Sequence, residues 1–205
     1  YTVGMRGIHD SGFHTRAIDE DVSLTPEQKR AAKVALLARV IRDQQQILRD
    51  VLGEDGERAA LKTFIPYKEV LDLYDQGLEV PEDVTLIWAD DNFGHVRRYP
   101  NDAERQRRGG HGLYFHNSYW AHPGTAMSYL FLNSIPLAHI GNELWKAWES
   151  GIRKLWILNV GGLKPLEQDM EYFLRYAWEA GREDGLTKDA RRFTEHWINS
   201  NFSGE

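Results

Sequence analysis

Four acidic side chains, Asp10, Glu69, Asp90 and Asp91, each come at or shortly after the end of a short apolar run. Such runs suit strands buried on both faces. The ends of parallel strands are where an α/β protein delivers side chains to a pocket. Two carboxyls facing each other across a pocket support paired acid–base chemistry. One protonates a leaving oxygen while the other acts as base or nucleophile, the pairing that cleavage of a glycosidic bond requires. Each acid can equally cap a helix or pair with Lys or Arg. Asp90 and Asp91 are adjacent and cannot both point the same way, so one of them is expected to be structural.

Arg6 precedes Asp10 by four residues at the end of the first apolar run. A guanidinium pairs bidentately with a carboxylate, so Arg6 can hold an acidic substrate or orient Asp10, and both readings stay open. Asn92, Asn117 and Asn159 offer amides of the kind that fix hydroxyl groups. Trp88, Tyr114, Tyr119 and Trp120 are candidate platforms for a sugar ring or ordinary core residues. His111, His116 and His122 are spaced by five and six residues, which matches no standard zinc pattern, while His9 beside Asp10 could join an oxygen-rich site. Gly109-Gly110-His-Gly112 precedes a strand, whereas a phosphate loop follows one, and there is no Gly-x-Ser-x-Gly elbow.

The elements that must position these groups alternate. Strands are expected over residues 2–7, 59–65, 84–89, 112–116 and 154–160. A long helix should start at Pro26, where Thr25 can cap and Gln28 completes a capping box, and stop at Gly53. Further helices are expected over 67–76 (ended by Gly77), 136–150 (ended by Gly151), 165–180 and 187–199. A short helix is expected within the polar loop 94–110, and 128–133 reads as an apolar extended piece. Strand–helix alternation implies crossover connections and a parallel sheet. The fold class is therefore α/β, a (β/α)8 TIM-type barrel, incomplete in this segment, with an open doubly wound sheet as the alternative.

At 205 residues the chain suits a single domain. A net charge of −6 gives no basic field for nucleic acid, and Arg105, Arg107 and Arg108 stand among Asp102 and Glu104. With no cysteine there is no disulfide or thiolate metal site, and no apolar run is long enough to span a membrane. The first residues lack the features of a signal peptide and begin mid-pattern, as in a segment of a longer chain. Seven Trp, nine Tyr and eight Phe exceed what packing usually needs and suit stacking against flat ligands or sugar rings.

With those residues in view, the chain resembles the catalytic region of glycoside hydrolase family 115, the xylan α-1,2-glucuronidases. The likeness is carried by Val3-Gly-Met-Arg-Gly-Ile-His-Asp-Ser-Gly12, Ile65-Pro-Tyr-Lys-Glu-Val70, Leu86-Ile-Trp-Ala-Asp-Asp-Asn-Phe-Gly94, His116-Asn-Ser-Tyr-Trp120 and Leu155-Trp-Ile-Leu-Asn-Val-Gly161. The resemblance implies a barrel segment, residues 1–205, of a larger multidomain enzyme. It implies removal of glucuronic or 4-O-methylglucuronic acid from xylan with inversion, using neither metal nor other cofactor. It also implies Glu69 as general acid and Asp10 as base or water-orienting carboxylate. Arg6 and Tyr119 would hold the uronic carboxylate and ring, and Asn92, Asn159, Asp91 and Trp120 would complete the binding pocket. Expected partners are glucuronoxylan or glucuronylated oligosaccharides, other domains of the same chain and a second copy in a homodimer, with neither nucleic acid nor membrane. A secreted or periplasmic location follows from the polymer. The alternatives are a non-catalytic carbohydrate-binding domain and a barrel enzyme acting on an acidic small molecule through Arg6.

Overall fold

A computed structural model describes residues 1–7, 11–91, 93–118 and 134–202. Helices α1 (Arg16–Asp19) and α2 (Pro26–Ala59) precede strand β1 (Thr63–Phe64), helix α3 (Glu69–Asp75), and strands β2 (Thr85–Ala89) and β3 (His111–His116). Helix α4 (Leu137–Glu149), strand β4 (Leu155–Asn159) and helices α5 (Glu167–Glu179) and α6 (Ala190–Phe202) follow. The strands form a parallel four-stranded sheet in the order β1-β2-β3-β4. The α/β class and the parallel sheet agree with the alternation in the sequence. The chain divides into two compact units, Tyr1–Trp88 with Gln106–Gly110, and Ala89–Arg105 with His111–Glu205.

In the first unit, α2 begins as its sequence dictates. The Thr25 side chain accepts from the Gln28 N–H while the Gln28 side chain accepts from the Thr25 N–H, and Pro26 needs no donor there. Gly53 breaks the helix at φ 73°, but the chain re-enters helical geometry and runs on to Ala59. That extension takes Ala59, the first residue of the expected strand at 59–65, and β1 itself is only two residues long. The expected strand at 2–7 is likewise reduced to a single parallel bridge, Thr2 to Thr63. Gly4 turns to φ +93°, and its N–H and C=O go to the Gln44 side chain of α2 at 2.7 and 3.1 Å, so no neighbouring strand can use them. A Cβ at Gly4 would stand 2.8 Å from the Phe64 ring.

β1 pairs with β2 in register Thr63 to Thr85 and Phe64 to Leu86. Val84 through Trp88 are all buried, as a strand covered on both faces requires. Trp88, 1% exposed, packs edge-on against Tyr74 and serves the core, where no sugar can stack on it. Lys62, also 1% exposed, sits between Glu57 and Asp83 and ties the end of α2 to the turn before β2.

In the second unit, β3 and β4 run in register from Gly112 opposite Leu155 to His116 opposite Asn159. The polar loop before β3 holds only a 3-10 turn, Glu104–Gln106. Helix α4 ends where expected, at Gly151 with φ +92°. α4, α5 and α6 pack on one another, and many of the aromatics do their work there. Phe173 lies 6.1 Å from Phe115 and 6.0 Å from Trp156, and Tyr172 meets Phe193 edge-on at 5.0 Å. No helix among the described residues is long and apolar enough to cross a membrane.

Candidate active site

The expected site residues fall in both units, and each unit builds its own cluster. In the first, Glu69 opens α3 directly after Lys68, whose φ of 51° makes it the one non-glycine residue in left-handed territory among the described residues. A lysine held there is strained, and strain of this kind gathers at functional sites. The turn points Glu69 at Arg6. Arg6 Nε donates to Oε1 at 3.0 Å and Nη2 to Oε2 at 3.1 Å, and the Phe13 N–H adds a third bond to Oε1 at 2.9 Å. The Arg6 guanidinium also lies over the Tyr67 ring, 5.3 Å from its centroid.

Burial pushes the Glu69 pKa up, but the Arg6 pair and the backbone donors outweigh it and hold the carboxyl below the ordinary value of 4.5. Glu69 is a partner of Arg6 in addition to the two the sequence leaves open, an oriented Asp10 or an acidic substrate. Asp10 itself lies outside the described residues, as does His9.

In the second unit the ends of β2, β3 and β4 contribute. Asp90 is 2% exposed, and its Oδ1 accepts from the His116 N–H at 3.0 Å and pairs with His116 Nδ1 at 2.6 Å. Its Oδ2 is buried with no hydrogen-bond partner among the described residues. Burial raises the Asp90 pKa above its ordinary 3.8, a push that His116 only partly offsets. Asp91 does different work. Its Oδ1 accepts from the N–H groups of Phe93 and His95, its Oδ2 pairs with Arg97, and its own N–H goes to the His95 carbonyl. Asp91 thus closes the loop 91–97, the structural role that adjacency required of one member of the pair.

Asn117 donates its backbone N–H to the Asn159 carbonyl at 2.9 Å and its side-chain amide to Asp169 at 3.0 Å. Asn159 is half-buried at the end of β4, and just beyond it the Gly161 N–H reaches Ser118 Oγ. Tyr114 leans on the His116 ring at 5.0 Å. Asn92, Tyr119, Trp120 and His122, and the piece at 128–133, lie outside the described residues.

Sequence reasoning ranked Asp91 above Asp90 and treated His116 only as a failed zinc ligand. The signal for their pairing was present. An acid closing one strand and a histidine closing its neighbour meet when parallel strands end level, and the Asp90 N–H bond to the Tyr114 carbonyl sets that level.

Carboxyls, amides and a histidine at the ends of parallel strands are the layout of an α/β enzyme site built for acid–base work. The chain belongs to glycosyl hydrolase family 115, which it matches over residues 1–205. Among solved structures it is similar to BtGH115A, described as a family GH115 4-O-methyl-α-glucuronidase with specificity for decorated arabinogalactans. The two share 38% identity and superpose with a TM-score of 0.82 over 97% of this chain. That match covers 24% of the other chain, so the present chain spans about a quarter of its length. No curated protein matches the chain.

Proposed function

We propose that the chain is part of the catalytic region of an α-glucuronidase that removes glucuronic or 4-O-methylglucuronic acid α-1,2-linked to xylan, by inversion. The observation that carries this reading is the bidentate Arg6–Glu69 pair. A uronic acid differs from a neutral sugar by its carboxylate, and a fork already shaped to one carboxylate accepts another.

The pair also answers an apparent conflict. A general acid must carry its proton at working pH, yet Glu69 is held ionised by Arg6. When the substrate carboxylate takes the guanidinium, Glu69 keeps its burial and loses its counter-ion, and its pKa rises. Substrate binding thereby converts Glu69 into the acid that protonates the leaving xylose oxygen. Asp10 then serves as the base that activates water, and inversion requires the two carboxyls to stand about 6.5–9.5 Å apart. Tyr119, Trp120, Asn92 and Asn159 are the proposed ring and hydroxyl contacts, and Asp91 contributes by holding the loop that carries Asn92.

A (β/α)8 barrel is the architecture we propose around these strand ends. Parallel strands in chain order support it, and so does β4, whose apolar Leu155, Trp156, Ile157 and Leu158 are only half-buried and suit cover from further barrel elements. A secreted or periplasmic setting follows from a polymeric substrate, with other domains of the same protein, and a homodimer, as the proposed assembly. The specificity of BtGH115A for decorated arabinogalactans favours these polymers as a second substrate class.

The test is release of uronic acid by the full-length protein from glucuronoxylan and from arabinogalactan, with Glu69→Gln and Asp10→Asn beside the wild type. Loss of at least about a hundredfold in both variants is expected. Binding of polymer with no release would replace the enzyme reading with that of a carbohydrate-binding domain.

A further inference from the structure

We propose that His95, His139 and Glu143 form a binding site for one zinc-like divalent cation, an inference that does not rest on the glucuronidase reading. His139 and Glu143 stand four residues apart on α4, so they share one helical face, and His95 comes from the loop that follows β2. One potential ligand atom from each lies within 4.8 Å of the other two, with His95 Nδ1 4.0 Å from Glu143 Oε1. The two imidazoles meet edge-on with centroids 4.5 Å apart. A zinc ion takes imidazole nitrogen and carboxylate oxygen at about 2.0–2.2 Å, which sets tetrahedral ligand atoms about 3.3 Å apart. The required closure is on the order of an ångström, and His95, with 47% of its side chain exposed, is free enough to make it.

The surroundings resemble those of a ligand set. Ligating histidines usually give their other ring N–H to a carbonyl, which fixes the ring and its tautomer. His139 Nε2 donates to the Gly94 carbonyl at 2.9 Å, leaving Nδ1 with its lone pair. Glu143 is 1% exposed and oriented by the Val96 N–H at 3.0 Å and the Tyr99 hydroxyl at 3.3 Å. Lys146, half-exposed, now sits on Glu143 Oε1 at 2.8 Å, and an arriving cation would send that ammonium back into solvent. Two nitrogens and one oxygen select zinc and its transition-metal neighbours over magnesium or calcium. The bound ion would clasp the 91–97 loop to α4 and leave a fourth position open to water.

The experiment uses the full-length protein, stripped by chelator dialysis and titrated with Zn²⁺ against a chromophoric competitor. Melting temperatures with and without Zn²⁺ are measured in parallel. Wild type should bind one ion at this site and melt higher when loaded. His95→Ala and His139→Ala should each weaken binding at least about a hundredfold, more than the ~10–100-fold lost with an outer-shell partner, and abolish the thermal shift. His95 is half-exposed, so its variant keeps the fold even if the change at His139 does not. Equal Zn²⁺ affinity in wild type and His95→Ala, or a thermal shift that survives that substitution, would overturn the proposal.

Discussion

Replacing Arg6 with Ala isolates the force that keeps Glu69 ionised. In the wild type the folded-state pKa of Glu69 lies below its ordinary 4.5. The pair therefore contributes stability that is fully present above about pH 4.5 and is lost as pH falls through the folded pKa. Two charge-assisted bonds at 3.0 and 3.1 Å are at stake. The Glu69 side chain is 33% exposed and Arg6 18%, so solvent screens the pair and the net cost should fall well short of a buried ion pair. A loss of about 1–2 kcal/mol at neutral pH is expected, between the ~0–1 of surface pairs and the ~3–5 of broken buried ones.

The sign of the pH dependence is the sharper readout. In Arg6→Ala only the backbone donors oppose burial and Glu69 titrates higher than in wild type, so the variant gains less stability as pH rises. Urea unfolding of both proteins between about pH 3 and 7 measures the difference directly. The gap between them should widen as pH rises from the acid end. A constant gap across that range would show that Arg6 does not control the Glu69 proton and would refute the reasoning.

Three further substitutions probe the frame. Lys62→Met leaves Glu57 and Asp83 without their buried partner and should cost about 3–5 kcal/mol in urea unfolding; less than about 1 kcal/mol would show that the triad is dispensable. Gly109→Ala drives a Cβ to 2.2 Å from the Val84 carbonyl oxygen, against backbone that cannot yield, and should cost about 3 kcal/mol by thermal or urea unfolding. Asp90 has a raised pKa, so its contribution to stability is present at low pH and is lost as pH rises through the folded value. Asp90→Asn should therefore melt no lower than wild type near neutral pH, and a clear drop in its melting temperature there would show that the His116 pair outweighs the burial of the charge.

Local signals in the sequence translated well. The Thr25 capping box, the stops at Gly77 and Gly151, and the buried run at Val84 to Trp88 depend on residues a few positions apart, and the structure realises each. What failed was set at a distance. Residues 2–7 read as a strand because nothing local shows that Gln44 takes both polar groups of Gly4. The Arg6 pair with Glu69 joins residues 63 apart, beyond the reach of any local pattern. His116 meets Asp90 across 26 residues for the same reason. Aromatics invite a ligand on composition alone, yet Trp88, Phe115 and Phe173 are core, and only burial distinguishes the two uses.

The central claim is that a uronic carboxylate draws Arg6 away and leaves Glu69 protonated. Difference infrared spectroscopy of the full-length protein near neutral pH, with glucuronate bound minus free, reads that proton. A gain in protonated carboxyl signal that vanishes in Glu69→Gln is predicted. No gain, or a gain that persists in Glu69→Gln, would contradict the claim.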